Sequence, residues 1–188
     1  MTPLHRGKNY GKLIDSIVPS AFFMDGKITW WVAVDEEYWM TESRGLYKIF
    51  NYPFHAFMWY VGGEDFAGHK KRNSFLDHCK DGYIYFLDDD NLIHPELFKN
   101  LVGKLDGTSI IMDQYNKDDS LRLSHTEPIE VGHVDVGNIL INRKDIGDLR
   151  FEVDKYEADG ILFNEIFVKR GVPIKRDAEA KTYYNKLR

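Results

Sequence analysis

The sequence has too little cysteine, too few apolar runs and too little basic charge for several classes of protein. Its 188 residues include one cysteine, Cys79, so no disulfide can form within the chain and nothing points to an oxidising compartment. No apolar stretch approaches the roughly 20 residues that a membrane-spanning helix needs, and the opening MTPLHRGKNY lacks the apolar core of a signal peptide. The net charge of −5 and the pI of about 5.8 argue against a nucleic-acid partner, because nucleic-acid-binding proteins usually carry a basic face. These absences predict a cytoplasmic protein with no membrane span.

What the sequence does contain is enough apolar bulk for one domain. Aromatic residues make up 14% of the chain, as 12 Phe, 11 Tyr and 4 Trp. A domain of this size buries roughly 70% of the surface of its unfolded chain. Because no repeat, low-complexity tract or Pro/Gly-rich linker interrupts the sequence, we expect a single domain over residues 1–188.

Apolar runs of strand length alternate with stretches of helical periodicity. Strands that are apolar on both faces and alternate with helices indicate an α/β fold, with a mixed, mainly parallel sheet flanked by helices. The predicted helices cover residues 10–19, 64–81, 95–105 and 157–171, the first stopping at Pro19 and the third having Pro95 at its first position. The predicted strands cover residues 28–37, 55–61, 83–90, 108–113 and 138–142, with a polar loop over residues 114–137.

Two of the predicted strands end in acidic residues, Asp35 in one and Asp88, Asp89 and Asp90 in the other. Sheets of this class bind ligands at the carboxyl ends of their strands. In an extended chain Asp88 and Asp90 share one side while Asp89 points away. Two like charges about 4 Å apart cost on the order of 4 kcal/mol at an effective dielectric near 20. A hard divalent cation, completed by water and substrate phosphate, would offset that cost; the alternative is a solvated acidic turn.

A basic cluster precedes this strand. Lys70, Lys71 and Arg72 lie close to the start of a predicted helix, where cations oppose the helix macrodipole. A bound anion such as a diphosphate would reverse this penalty. The alternative is a basic face that is simply solvated.

The segment GHKKRNSFLDHCKDGYIYFLDDDNLIHPELF resembles the core of nucleotide-sugar-dependent glycosyltransferases of the GT-A fold, particularly the family 2 group. In that group an Arg-Asn pair on a helix precedes a strand that ends in an Asp-x-Asp motif. The opening TPLHRGKNYGKLIDSI is similar to the family's TP-x-x-x-R segment and its following helix. The segment from GHVDVGNILINRKDI to RFEVDKYEADGILFNEIFVKRG is similar to the acceptor-side half.

The resemblance implies a glycosyltransferase of the hexosyltransferase type. It would move a sugar from a nucleoside-diphosphate sugar, with UDP-sugars favoured, to a hydroxyl of a glycan, lipid or protein. Residues 1–113 would bind the nucleotide sugar and the metal, and residues 114–188 the acceptor. The implied cofactor is Mn²⁺ or Mg²⁺, ligated by Asp90 with Asp88 beside it. The implied nucleotide-sugar contacts are Thr2, Pro3, Arg6, Asp35, Lys71, Arg72, Asn73, Asp88 and Asp89.

The resemblance also implies an inverting mechanism in which Asp159 matches the catalytic base. Glu157 would lie near the acceptor. Asp159 falls at the start of a predicted helix, where the dipole favours an ionised carboxylate, so helix capping is its alternative role. Glu157 and Asp135 are rival bases, and Asp135 could equally cap a turn.

The sequence departs from the family pattern in three places. The strand before the TP segment must be very short or absent, because the chain given starts at Met1. No histidine follows His133, although several relatives use a late histidine as a metal ligand. Ala158 separates Glu157 from Asp159. A partner domain or an oligomer could complete the acceptor region.

Two other functions remain open. A non-catalytic or degenerate nucleotide- or sugar-binding module would keep the same fold. A nucleotidyltransferase is disfavoured because TPLHRGK lacks a Gly-rich phosphate loop.

Overall fold

A computed structural model describes residues 1–24, 27–35, 55–63 and 65–188 of the chain. Its strands are β1 (Thr2–Leu4), β2 (Thr29–Val34), β3 (His55–Tyr60), β4 (Tyr83–Tyr85), β5 (Ser109–Tyr115), β6 (Leu121–Leu123), β7 (Ile139–Asn142) and β8 (Ile174–Tyr183). Its α-helices are α1 (Tyr10–Phe23), α2 (His69–His78), α3 (Glu96–Leu101), α4 (Arg143–Ile146) and α5 (Ala158–Phe163), which continues into a π-helical turn over Asn164–Lys169. Within the described ranges, no helix has the length and apolar character needed to cross a membrane.

The strands form two sheets that meet at β1 and β4. The first is parallel, in the order β1-β2-β3. The second has the order β4-β7-β5-β6 with antiparallel neighbours, and β8 lies parallel to β5. The backbone nitrogen of Met1 donates to the Tyr85 carbonyl at 2.8 Å, and the Leu87 N–H donates to the Met1 carbonyl at 2.9 Å. The carboxyl ends of β1 and β4 therefore lie side by side, and the predicted α/β class is confirmed.

The apolar core has two layers, one on each face of the sheets. Along β2, Trp30, Val32 and Val34 pack into one layer while Ala33 packs into the other. The same alternation divides β5, with Ile110 on one face and Ile111 on the other. Because successive strand side chains point to opposite faces, a strand that is apolar throughout must be covered on both sides. The prediction of doubly buried strands holds for β2 and β5.

Two helices end or begin differently from the prediction. Helix α1 continues through Pro19 to Phe23 instead of stopping at the proline. Proline removes one backbone hydrogen bond, and Pro19 is exposed, so the carbonyl that loses its partner can be solvated. Helix α2 begins only at His69, because Ala67 and Gly68 both have positive φ angles, of 53° and 78°, and a left-handed pair breaks a helix.

Smaller boundary differences also occur. Pro95 is the N-cap of α3 rather than its first helical residue. The first strand was expected to be very short or absent. Strand β1 is present and is three residues long. Glu36 and Glu37, at the end of the predicted strand over residues 28–37, and Glu64, at the start of a predicted helix, lie outside the described residues.

Residue pattern does not predict β8, the longest described strand, and β6 lies inside the predicted polar loop. Strand β8 has the sequence IKRDAEAKTY and is mostly exposed until Ala180. Its first half pairs with β5 at a solvated edge and a bulge follows at Met112/Asp113, so the strand shows no regular apolar alternation. Segment Ile174–Tyr183 is a strand because its backbone pairs with β5, and no local residue pattern encodes that pairing. It carries the chain back to the carboxyl end of β4.

Candidate active site

A cavity of about 470 Å³ opens where the carboxyl ends of β1 and β4 meet. Its walls come from the loop after β1, the start of α2, the Asp88–Asp90 segment after β4, the turn at residues 131–136, the segment before α5 and the chain after β8. Ligands bind at this end of the strands in α/β sheets. The cavity is therefore the candidate active site.

Asp89 anchors the loop after β1. Its Oδ2 accepts hydrogen bonds from the backbone N–H groups of His5 and Arg6, each at 2.6 Å, and its Oδ1 accepts one from the Arg6 guanidinium. Asn9 donates to the Asp89 carbonyl at 2.8 Å. Asp89 is buried, so these bonds replace the water that its carboxylate loses. This one side chain fixes the cavity wall that carries Arg6.

Asp88 and Asp90 are each paired with arginine. Asp88 accepts from Arg72 through its Oδ1. The Oδ2 of Asp90 lies 2.6 Å from Nε of Arg188 and 3.1 Å from Nη1 of Arg6. Three guanidinium groups thus pair directly with the three carboxylates. These ion pairs offset the repulsion expected between the neighbouring carboxylates.

Burial nevertheless raises the pKa of the Asp90 carboxyl, and the charge of Asp88 raises it further, while Arg188 and Arg6 oppose the shift. The arginines therefore compensate Asp90 only in part. A carboxylate in this environment gains from an additional cation.

The side of the cavity near β2 contains a buried ion-pair network. Lys71 is 0% exposed, and its Nζ lies 2.7 Å from Asp35 and 3.1 Å from Asp65. His5 contacts both Asp35, at 3.2 Å, and Lys71, at 3.3 Å, through Nδ1. Lys71 and Asp35 do not line the cavity itself. Their charges compensate each other behind the loop that carries His5.

Arg72 and Asn73 face different environments, although they are adjacent in the Arg-Asn pair. Arg72 lines the cavity and donates to the Ala67 carbonyl at 2.7 Å, with its guanidinium 5.8 Å from the ring centroid of Phe151. Asn73 instead makes two 2.8 Å hydrogen bonds with the backbone of Phe151, one through each end of its side-chain amide. Arg72 is therefore placed to meet a ligand, and Asn73 holds the Phe151 segment against α2.

Thr2 and Pro3 are also placed differently. Thr2 is buried, and its hydroxyl accepts from the Trp30 indole at 2.9 Å. Pro3 lines the cavity together with Arg6. Of Thr2, Pro3 and Arg6, the last two therefore reach the candidate site.

Asp135, Glu157 and Asp159 are the other acidic residues at the cavity. Asp135 caps the short 3₁₀ turn at residues 136–138 by accepting from the Gly137 N–H at 2.8 Å, and its other oxygen lies 3.5 Å from Arg122. Asp159 accepts from the Gly160 N–H at 2.8 Å, and Glu157 is exposed. All three carboxylates line the cavity.

The pKa of the Asp159 carboxyl is strongly shifted. Burial raises the pKa of Asp159 to about 6, and the charge of Asp135 adds to the shift. The Gly160 hydrogen bond and Arg72 lower the pKa by less. The expected ionising effect of the helix start is thus outweighed by loss of water. A carboxyl group with a pKa near 6 suits proton transfer close to neutral pH.

Comparison with known proteins identifies the fold of the chain. No protein-family profile matches the chain, and no curated protein sequence matches it. Among solved structures, the mannosyltransferase PcManGT from Pyrobaculum calidifontis, in complex with GDP-Man and Mn²⁺, matches with a TM-score of 0.73 and 13% identity, over 98% of this chain and 55% of that one. TarS 1–349 from S. aureus matches with a TM-score of 0.66 and 12% identity, over 98% of this chain and 56% of that one. The complex of TarS 1–349 with UDP-GlcNAc matches with a TM-score of 0.65 and 11% identity, over 98% of this chain and 54% of that one.

The chain has the GT-A glycosyltransferase fold. The resemblance noted in the sequence is thereby confirmed for the fold. The chain spans about half the length of the solved structures that it matches.

In this GT-A fold, Asp88 and Asp90 have the donor chemistry for a hard divalent cation. The described residues contain no group of three or more His, Cys, Asp or Glu side chains that could hold a metal ion. A cation bound by one or two carboxylates needs no such group, because substrate phosphate and water complete its octahedral shell. Arg72 occupies Oδ1 of Asp88, and Arg188 and Arg6 share Oδ2 of Asp90, so one oxygen of each carboxylate is not used by these arginines. The residues fit a metal that is held jointly by protein and substrate.

Several residues that line the cavity were not predicted from the sequence. They are His5, His69, Arg122, Tyr156, Tyr184 and Arg188. His5 stands inside the segment TPLHR, between Pro3 and Arg6, which is a usable signal. Tyr184 and Arg188 reach the cavity only because β8 returns the chain to it, so no local pattern could have identified them.

Proposed function

We propose that this chain is a glycosyltransferase that moves a sugar from a nucleoside-diphosphate sugar, with UDP-sugars favoured, to an acceptor hydroxyl. The observation that carries the proposal is the cavity itself. It combines the Asp88–Asp90 carboxylates, three arginines and a separate carboxyl group with a raised pKa at the ligand-binding end of a GT-A sheet. In this proposal, residues 1–113 bind the nucleotide sugar and residues 114–188 bind the acceptor.

The arginines are the groups that would bind the diphosphate. Arg6, Arg72 and Arg188 all line the cavity, and guanidinium groups form strong, charge-assisted hydrogen bonds with phosphate oxygens. Asp88 and Asp90 would hold Mn²⁺ or Mg²⁺. When bound, this cation would offset the negative charge that develops on the departing diphosphate. Asp35 and Lys71 would position the loop of His5 beside the nucleotide.

Asp159 would remove the proton from the acceptor hydroxyl in an inverting transfer. Such a base must lie opposite the leaving group, so it cannot belong to the Asp88–Asp90 cluster. Asp159 lines the cavity from the start of α5, and its pKa of about 6 leaves it ionised at neutral pH while keeping it basic enough to accept a proton. Asp135 is less suited, because its Oδ1 already accepts from Gly137 and Gln114 and its Oδ2 lies 3.5 Å from Arg122. Glu157 is exposed and remains a rival base.

A second candidate function is a binding module that holds a nucleotide or sugar without transferring it. The specific observation that favours it is the pairing of all three aspartates with arginine, which gives the cluster compensation without a metal.

Calorimetric titration with UDP and GDP, in Mn²⁺ and then in EDTA, separates these candidates. We expect nucleotide affinity to fall in EDTA, and the Asp90→Asn variant to lose the difference between the two conditions. Asp15→Asn, at an exposed position on α1, is the matched control and should behave like the wild type. Release of nucleoside diphosphate from a panel of nucleotide sugars then tests turnover.

Each outcome has a distinct meaning. Equal affinity in Mn²⁺ and EDTA would remove the metal from the mechanism. Binding without release of diphosphate from any nucleotide sugar would favour the binding module. No nucleotide binding under either condition would refute the transferase and the nucleotide-binding form of the module.

A further inference from the structure

Tyr156 is an exposed aromatic side chain at the wall of the cavity. It is 70% exposed, yet it lines the cavity just before α5 begins. Leaving most of a tyrosine ring in water forgoes the stabilisation that burial of aromatic surface provides. An exposed ring at a ligand cavity is thus a candidate ligand contact.

The surroundings of Tyr156 are aromatic and charged. Tyr184 also lines the cavity, and the guanidinium of Arg122 stacks 3.6 Å above the centre of its ring. Tyr184 is the principal cause that raises the pKa of the Tyr156 hydroxyl, with smaller contributions from Asp135 and Asp159. The Tyr156 hydroxyl is therefore within electrostatic reach of the candidate base.

This combination suits a sugar ring better than a lipid chain. A pyranose presents a patch of C–H groups on its face, which packs on an exposed aromatic ring, and hydroxyls around its edge. Asp135, Glu157 and Arg122 supply charged partners for such hydroxyls on the same wall. A lipid chain would require a continuous apolar groove, whereas this wall places charged groups beside the ring.

We propose that the acceptor is a carbohydrate whose ring packs against Tyr156 and directs one hydroxyl towards Asp159. This inference rests on the proposed transferase function and narrows its acceptor from glycan, lipid or protein to glycan. Tyr156 acts by binding the acceptor, and it has no role in holding the nucleotide.

The test uses the wild-type chain, a nucleotide sugar that it turns over, and three acceptor classes. These are neutral di- and trisaccharides, a Ser/Thr-containing peptide, and an alkyl phosphate in detergent micelles. Transfer is measured by mass of the product, and saccharide binding by saturation-transfer NMR without donor. We expect transfer to saccharides and direct saccharide binding.

Variants at Tyr156 then test the residue. Tyr156→Ala should raise the KM for the saccharide by about three- to tenfold, the range that a single aromatic contact supplies, while the Kd for UDP changes by less than about twofold. Tyr156→Trp, which keeps an exposed ring, should restore the KM. Phe22→Ala removes a ring that is 69% exposed on α1, and this matched control should leave KM unchanged.

Failure of this inference is distinguishable from failure of the proposed function. If no nucleotide sugar is bound or cleaved, the proposed function itself is wrong. If diphosphate is released but the sugar passes only to the peptide, the micellar acceptor or water, the carbohydrate inference is overturned. An unchanged saccharide KM in Tyr156→Ala would remove Tyr156 from the acceptor site.

Discussion

Replacement of Asp159 by asparagine should make the protein more stable and less active at once. Asparagine keeps an oxygen that can accept the Gly160 N–H bond, which is 2.8 Å long in the wild type. It removes the charge whose burial raises the pKa of this carboxyl group from 3.8 to about 6. The variant therefore changes the ionisation and preserves the local hydrogen bond.

The magnitude follows from the pKa shift. A difference of about two pKa units corresponds to roughly 3 kcal/mol. Because the folded state holds the proton more tightly than the unfolded state, this amount of stability is present below pH 4 and is lost as pH rises through about 6. Asp159→Asn should recover up to this amount at pH 7–8, a rise in Tm of roughly 5–10 °C for a chain of this size. Near pH 4 the variant and the wild type should have similar stability.

The catalytic effect has the opposite sign. If Asp159 is the base, wild-type kcat should increase about tenfold per pH unit below pH 6 and level off above it. Asp159→Asn should lower kcat by about 10²-fold or more and remove this pH dependence. The Kd for UDP should stay nearly unchanged. Thermal unfolding by fluorescence and diphosphate release across pH 4–9 provide both measurements.

Three results would contradict this reasoning. A less stable variant with unchanged turnover would make Asp159 a helix cap. A larger loss of kcat in Glu157→Gln or Asp135→Asn than in Asp159→Asn would move the base to that residue. A product of retained anomeric configuration, read by NMR, would rule out an inverting transfer.

Two further predictions concern the ion pairs around the cavity. Arg188→Ala should bind Mn²⁺ several-fold more tightly than the wild type in the absence of nucleotide, because the guanidinium 2.6 Å from Asp90 no longer competes for that carboxylate. Metal titration followed by electron paramagnetic resonance measures this affinity. An unchanged affinity would show that Arg188 and the metal do not share Asp90. Lys71→Met should lower the free energy of unfolding by about 3–5 kcal/mol in urea titrations, because Asp35 and the buried Asp65 lose their shared cation. The double variant with Asp65→Asn should recover part of the loss, and a Lys71→Met variant as stable as the wild type would show that the network contributes nothing.

Residue pattern alone was enough to predict the fold class and the position of the acidic cluster. Strands β2 and β5 are apolar throughout, and that local property requires cover on both faces. Asp88–Asp90 follow β4 after only Phe86 and Leu87, so their place at the ligand-binding end of the sheet depends mainly on the order of residues along the chain. Helix boundaries were less predictable where backbone strain decided them, as at Ala67.

Only the tertiary structure decided which charges meet. Arg188 pairs with Asp90 because β8, a strand without apolar alternation, returns the chain to β4 through backbone hydrogen bonds with β5. Lys71 looks in the sequence like part of an exposed basic face, yet it is buried between aspartates that come from two other segments. The pKa of Asp159 likewise depends on water lost to neighbours and on the charge of Asp135 across a turn, and these quantities exist only once the chain has folded.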